Sequence, residues 1–275
     1  MEIYFWRPRS LFGAGVAKFS RIYRSNFHPS PEGLTNFGDE LGPQIVGRIL
    51  MSHGLPNPQG RLHWVRKTFF SVGSVTHVAR NGDIIWGSGA LGGLKPALRR
   101  GVNELEIHAL RGPLTKQLFT NDHGISDFKC AFGDPAILLP LLFPELAPIR
   151  GSSKGLIVSH MDDAPLENLE PGYDHVRATS PWKEVVRRIA GASSVVTSSL
   201  HGKILADAYG VPSVVYQGAR TKPFKFEDYA AGTSQSQFEI LPSLQQALEG
   251  VPEPAPDLSS VQASLIKSFP FHLFR

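Results

Sequence analysis

Short apolar runs alternate with stretches of helical period along this chain, and the alternation predicts parallel sheets built from βαβ units. Ile3–Trp6 reads as a first strand. Asn36-Phe37-Gly38-Asp39 then opens a helix with Leu41, Ile45, Ile49 and Leu50 near one face, and Gly54 stops it. Lys67–Val72 is a strand ending in Gly73-Ser74, followed by a short helix through Ala79. Asp83–Trp86 is a strand ending in Gly87-Ser88-Gly89. Leu105–Leu110 ends in Arg111-Gly112-Pro113, and Pro113 suits the first turn of a helix running to Phe119. Lys129–Phe132 ends in the helix-start signal Gly133-Asp134-Pro135.

Pro140, Pro144 and Pro148 lead to a linker at Gly151-Ser152-Ser153, which divides the chain into domains 1–150 and 151–275. The second half repeats the theme. Gly155–Ser159 is a strand ending in His160, and Val176–Ala178 is another. Ser180-Pro181 caps a helix that buries Trp182, Val185, Val186 and Ile189. Ser194–Thr197 is a strand, Ser198-Ser199-Leu200-His201-Gly202 a turn, and Lys203–Tyr209 a helix closed by Gly210. Val214–Tyr216 completes the unit, and a last helix covers Ser259–Ser268, with the tail 258–275 packing back on the first domain. The expected architecture is α/β, two domains facing across a cleft, because open parallel sheets bind ligands at the carboxyl ends of their strands.

Composition narrows the partners. The 275 residues, 41% hydrophobic and 19% charged, suit a barrel or two domains, not a disordered chain. The lone Cys130 excludes a disulfide framework and a Cys-rich metal knuckle. A net charge of +4 without basic runs or a recognisable motif gives no reason to expect nucleic acid. The apolar run Ala136–Phe143, broken by Pro140, is far short of the ~20 residues of a membrane span. Leu11–Ala17 follows Arg7 and Arg9 but has no cleavage pattern, so it does not read as a signal peptide. Arg7, Arg9, Lys18, Arg21 and Arg24 interleave with Phe12, Phe19, Ile22 and Tyr23. That stretch reads as a basic surface loop, with peripheral adhesion to an anionic membrane face as the sharper alternative.

Polar and glycine-rich turns recur where strands end: Gly73-Ser74, Gly87-Ser88-Gly89, Arg111, His160 and Ser198–Gly202. Each has a local explanation in a tight turn or a helix cap. Together they outline an anion site, since helix-start N–H groups attract phosphate and carboxylate. Gly87, Gly89 and Gly92 match a dinucleotide fingerprint, but Gly93 and Pro96 interrupt the helix that should follow, which favours another anion. His201, between a buried strand and a helix start, would be held near neutral and fit for proton transfer. Asp39 can cap its helix, act in catalysis, or do both. Arg111 at a strand end favours anion binding over a surface ion pair. Lys222 and Lys225 flank Pro223-Phe224 in a loop. Met161-Asp162-Asp163 could hold a divalent ion but reads as a solvated loop, and no histidine pair or Gly-x-Ser-x-Gly elbow supports a metal centre or a serine hydrolase.

The order of these motifs resembles the polysaccharide pyruvyl transferase family. The resemblance is carried by Asn36-Phe37-Gly38-Asp39-Glu40, Gly73-Ser74, Trp86-Gly87-Ser88-Gly89, Leu110-Arg111-Gly112-Pro113, Gly133-Asp134-Pro135, Ser198–Gly202 with Ala206–Pro212, and Phe224–Tyr229. It implies two Rossmann-like domains in a GT-B-like pair. It also implies a reaction in which phosphoenolpyruvate reacts with a sugar diol of a lipid-linked or polymeric exopolysaccharide repeat, giving a 4,6-linked pyruvate ketal and phosphate. No cofactor or metal is implied, and the setting would be cytoplasmic, at the inner membrane face. His201 matches the family's catalytic histidine and Asp39 its Gly-Asp position; which of the two is the acid in each step stays open. Arg111 and Lys225 match the cations for the donor, with Lys222 in reserve. Ser74, Gly87, Ser88, Gly89, Asn36, His160, Ser198, Ser199 and Gly202 line the expected substrate site. Ser199 stands where many members carry Arg, which leaves open the second cation on phosphate, to be supplied by Lys225, Arg220 or Lys203. The alternatives are a nucleotide-sugar-dependent GT-B glycosyltransferase and a non-catalytic glycan-binding protein of a polymer assembly complex.

Overall fold

A computed structural model of the chain describes residues 2–3, 36–56, 67–92, 104–125, 128–147, 153–166, 170–235 and 238–275. The basic N-terminal stretch, the end of the expected first strand at Trp6, and linker residues Gly151 and Ser152 lie outside them.

The apolar runs form two five-stranded sheets, parallel throughout. The first holds β1 (Glu2–Ile3), β2 (Thr68–Phe70), β3 (Ile84–Trp86), β4 (Glu106–Leu110) and β5 (Ala131–Phe132), in chain order. The second holds β6 (Gly155–Ser159), β7 (Tyr173–Arg177), β8 (Val195–Thr197), β9 (Ser213–Tyr216) and β10 (Ile240–Leu241) in the order β10-β9-β8-β6-β7. That is a doubly wound order, which reverses between β6 and β8. At such a switch point the two following connections leave on opposite faces and open a crevice at the strands' carboxyl ends. β2, β3 and β8 are buried at every position, as expected of strands covered on both faces.

Helices cover the sheets: α1 (Phe37–Ser52), α2 (Pro113–His123), α3 (Leu139–Leu142), α4 (Trp182–Gly191), α5 (Leu200–Ala208), α6 (Pro223–Gly232), α7 (Leu244–Glu249) and α8 (Ser259–Lys267). α1 starts where the two sheets meet. Asn36 caps it by accepting from the Gly38 amide at 3.0 Å, and the Phe37 amide donates to the Ala178 carbonyl, just past β7, at 2.8 Å. Its buried Leu41, Ile45, Ile49 and Leu50 join one hydrophobic cluster that also takes in Trp86 from the first sheet and Val158 and Val195 from the second. α8 packs on β5 and on the 3₁₀ turn Pro135–Leu138. There the buried Trp86 indole donates to the Leu265 carbonyl and to Ser268 Oγ, both at 3.1 Å, and Gln262 donates to the Ile137 carbonyl.

Three local expectations change. Asn36, not Asp39, caps α1, leaving the Asp39 carboxyl free of that duty. α5 begins at Leu200 with Ser199 as its cap position, so His201 stands in a helical first turn, not in a preceding loop. Lys222-Pro223-Phe224-Lys225 is not a loop: Lys222 is the cap position of α6, and Pro223 opens the helix with the fixed φ a first turn needs.

Candidate active site

The carboxyl ends of strands from both sheets face the start of α1. Gly73-Ser74 follows β2, Gly87–Gly89 follows β3, Arg111 follows β4 and Asp134 follows β5. From the second sheet come His160 after β6, Ser198–His201 after β8, and the turn after β9 that leads into Lys225 of α6. Gly38 is one point of close approach: a Cβ there would overlap His201 Nδ1, so a side chain would push the imidazole off α1. At Gly73, with φ of +101°, a Cβ would stand 3.0 Å from Asp39 Oδ1.

Arg111 is fully buried. Its Nε donates to Asp228 Oδ2 at 3.0 Å, Nη1 to Ser74 Oγ at 2.6 Å, and Nη2 to the Ala90 carbonyl at 2.7 Å. Asp228, on α6, also accepts from the Thr115 amide and hydroxyl. This ion pair ties α6 to the first sheet, and the close approach requires glycine: a Cβ at Gly112 would overlap the Asp228 carbonyl, and one at Gly232 the Arg111 carbonyl. Ser88 is also buried and donates to the Gly73 carbonyl at 2.7 Å, fastening the β2 and β3 turns together. Gly89 packs so closely on the Arg111 guanidinium that a Cβ there would overlap its Cζ. Gly87, with φ of +97°, leaves room for Pro135. These groups form the frame on the first sheet's side.

Three ionisable side chains in this frame have no hydrogen-bond partner among the described residues: the Asp39 carboxyl, His201 Nε2 and Lys225 Nζ. Burial, reinforced by Asp134 and Glu40 and opposed by Lys225, lifts Asp39 to about 7. Burial, with Lys225, Arg111 and His160 nearby, drives His201 down to about 3. Its position at a helix N-terminus disfavours the imidazolium further. Burial and the Arg111 and Lys222 cations bring Lys225 to about 8, against the opposing pull of Asp39 and Asp163. Lys225 acts on both Asp39 and His201, which puts its charge within electrostatic reach of each. At neutral pH the free site holds a neutral imidazole, a carboxyl near half-protonation and an ammonium.

The remaining candidates frame this trio. Asn36 donates to Met161 Sδ as well as capping α1. The His160 amide donates to Ser198 Oγ at 2.9 Å, and burial and Lys225 lower its imidazole's pKa. The Ser199 amide donates to Thr197 Oγ1, against which Gly202 packs closely. Lys222 is exposed at the mouth, and its charge reaches Lys225 and His77. Lys203 does not join them: it is buried against Asp207 Oδ1 at 2.8 Å and Ser213 Oγ at 3.1 Å. Asp228 and Asp163 are the residues sequence reasoning passed over as functional. Pro223 at a helix start, with Lys225 and Asp228 one turn apart, was the available signal for Asp228. Asp163 is no solvated loop residue, as its hydrogen bonds below make plain.

A separate groove of about 550 Å³, lined in part by His108, Lys129, Lys267 and His272, contains none of these groups. Among the described residues no three His, Cys, Asp or Glu side chains gather as a metal site, and no helix is long and apolar enough to cross a membrane.

The fold and site define a two-sheet α/β protein with an acid, a base and a cation where strand ends from both sheets meet. The chain belongs to the polysaccharide pyruvyl transferase family, whose model matches residues 57–217, from before β2 to just past β9. It is also 29% identical over 206 residues to the succinoglycan biosynthesis protein ExoV of Rhizobium meliloti (strain 1021), across 71% of this chain and 60% of that protein. The chain therefore aligns with less than two thirds of that relative's length. Asp39 and Lys225 lie outside the family-model match, and His201 and Arg111 lie inside it.

Proposed function

We propose that this protein transfers a pyruvyl group from phosphoenolpyruvate to a diol of an exopolysaccharide precursor, releasing phosphate and leaving a pyruvate ketal. The observation that carries the reading is the trio of unpartnered groups, a carboxyl near 7, a neutral imidazole and an ammonium, at the strand ends of a chain of this family. Family membership and the likeness to a succinoglycan biosynthesis protein support the class of reaction and acceptor.

The protonation states favour an order of events. Asp39 retains its proton closest to neutrality, so it delivers that proton to the methylene carbon, making the central carbon electrophilic. His201, neutral in the free site, accepts the proton of the sugar hydroxyl that attacks this carbon, its proton affinity raised by the negative charges of the bound donor. A second hydroxyl then displaces phosphate and closes the ketal ring, losing its proton to the newly formed Asp39 carboxylate, while the His201 imidazolium gives its proton to the departing phosphate and returns to the neutral form. Lys225 and the N-termini of α5 and α6 bind the donor's charged groups. The Arg111 fork is engaged by Asp228, Ser74 and Ala90, so it acts on the donor through its field and through the Ser74 hydroxyl it orients. Domains 1–150 and 151–275 are the two Rossmann-like halves of a GT-B-like pair in this reading. The setting is the cytoplasmic membrane face, where lipid-linked glycan is assembled.

The test is phosphate release from phosphoenolpyruvate by the purified protein with and without a synthetic or lipid-linked glycan acceptor. Release only with acceptor is expected. Release that ignores the acceptor would sink the reading, and a thermal shift with nucleoside diphosphates but none with phosphoenolpyruvate would redirect it to a glycosyltransferase.

A further inference from the structure

We propose that Asp163 is a positioning residue, a carboxylate clamp that fixes His201 relative to Lys225 by joining the loops after β6, β8 and β9. Its kinetic consequences rest on the pyruvyl-transfer reading; the clamp itself does not.

The geometry is specific. Asp163 Oδ2 accepts from the His160 amide at 3.0 Å, from the Ser198 hydroxyl, and from the Tyr216 hydroxyl at 3.4 Å. Oδ1 accepts from the Ala219 amide at 2.8 Å. Those donors come from the carboxyl ends of three adjacent strands, β6, β8 and β9. One partly buried carboxylate therefore spans the switch point of the second sheet.

Each anchored loop leads to a site residue. Ser198 precedes Ser199, the cap position of the helix that carries His201. Ala219 belongs to a turn closed by the Gly218 amide donating to Thr221 Oγ1 at 2.8 Å, and that turn runs directly into Lys222 and Lys225. Gly218 shows how tightly the loops close on the carboxylate, because a Cβ there would stand 2.5 Å from Asp163 Oδ1 and 2.7 Å from Ser198 Cβ. With N–H and O–H donors converging on both oxygens, an isosteric amide would turn a donor of its own toward one of them. The anion also has an electrostatic part. The charges acting on Lys225 are Arg111, Asp39, Lys222 and Asp163, and only Asp39 and Asp163 favour its ammonium.

The test compares the full-length protein with Asp163→Asn and Ser198→Ala. Amide hydrogen exchange at His160 and Ala219 should quicken at least tenfold in Asp163→Asn, and at His160 in Ser198→Ala. Unchanged exchange at both amides of Asp163→Asn overturns the clamp, whatever the reaction. If Asp163→Asn fails to fold, the same two amides are read in Asp163→Glu, whose longer side chain cannot keep both oxygens on these donors, and unchanged exchange at both there does the same.

With phosphoenolpyruvate and acceptor, Asp163→Asn should lower kcat by about a hundredfold, the scale of an ångström-size misplacement, with donor KM little changed. The alkaline limb of its pH profile should move to lower pH, since Lys225 loses an anion that supports its charge. Ser198→Ala keeps the anion and should leave that limb in place. An unmoved limb with unchanged kcat in Asp163→Asn overturns the positioning role. A wild-type protein inert toward phosphoenolpyruvate would instead refute the pyruvyl-transfer reading, and the exchange measurement would still decide the clamp.

Discussion

His201 owes its chemistry to exclusion from water and to the cations around it, and both effects are measurable. An imidazole held far below its ordinary 6.5 destabilises the folded state in acid, because the unfolded chain takes up a proton that the folded chain refuses. The His201 contribution should fall as pH drops from about 6.5 toward 3, opposed over much of that range by Asp39 and Asp134, whose carboxyls take up protons more readily in the folded state. His201→Asn should remove on the order of 2–4 kcal/mol of that acid destabilisation, read as the difference from wild type in urea unfolding at several pH values. Activity should respond differently. His201→Ala is expected to lower kcat by about 10²–10⁴-fold while phosphoenolpyruvate binding, followed by calorimetry, stays within about threefold. The alkaline limb of kcat/KM belongs to Asp39 and Lys225 together, with values of about 7 and 8 in the free protein. Asp39→Asn should leave a limb set by Lys225 alone, on a much reduced rate.

At the scale of elements, the site depends on helix starts placed against strand ends, and glycine makes the placement possible. Gly38→Ala tests this directly. Helix propensity alone would make alanine more stable there by roughly 1 kcal/mol. The overlap with His201 Nδ1 predicts the opposite for function: circular dichroism should show α1 intact while kcat falls. The strands other than β10, and most of their turns, were legible in the sequence, because continuous apolar runs ending in glycine or a polar cap are local signals; the two-residue β10 carries no such run. The start of α5, expected at Lys203 and found at Leu200, and the reading of Lys222–Lys225 as a loop were wrong for an equally physical reason. Ser198–Gly202 and Lys222–Lys225 carry the residues of a turn, but their backbone is recruited into helices whose buried faces, including Leu200, Ile204, Phe226 and Tyr229, are defined only by tertiary packing. Asp163 was illegible because its partners come from three strands far apart in sequence, and no local pattern marks such a carboxylate.

Across the whole molecule, the Arg111–Asp228 pair fastens α6, which connects β9 to β10 of the second sheet, to the first sheet. Asp228→Ala would leave a buried guanidinium uncompensated, and thermal or denaturant unfolding should report a loss of about 3–5 kcal/mol. The same contact brings Lys225 to the groups of the first sheet, so stability and donor binding should weaken together in that variant. The central claim, that these converging strand ends build a pyruvate ketal, is tested most directly by the product itself. Mass spectrometry of a defined glycan acceptor incubated with phosphoenolpyruvate and the protein should show the mass increase of one pyruvate ketal per acceptor, absent with His201→Ala. An acceptor returned unchanged by the wild-type protein, or a ketal formed equally well by the His201 variant, would contradict the account.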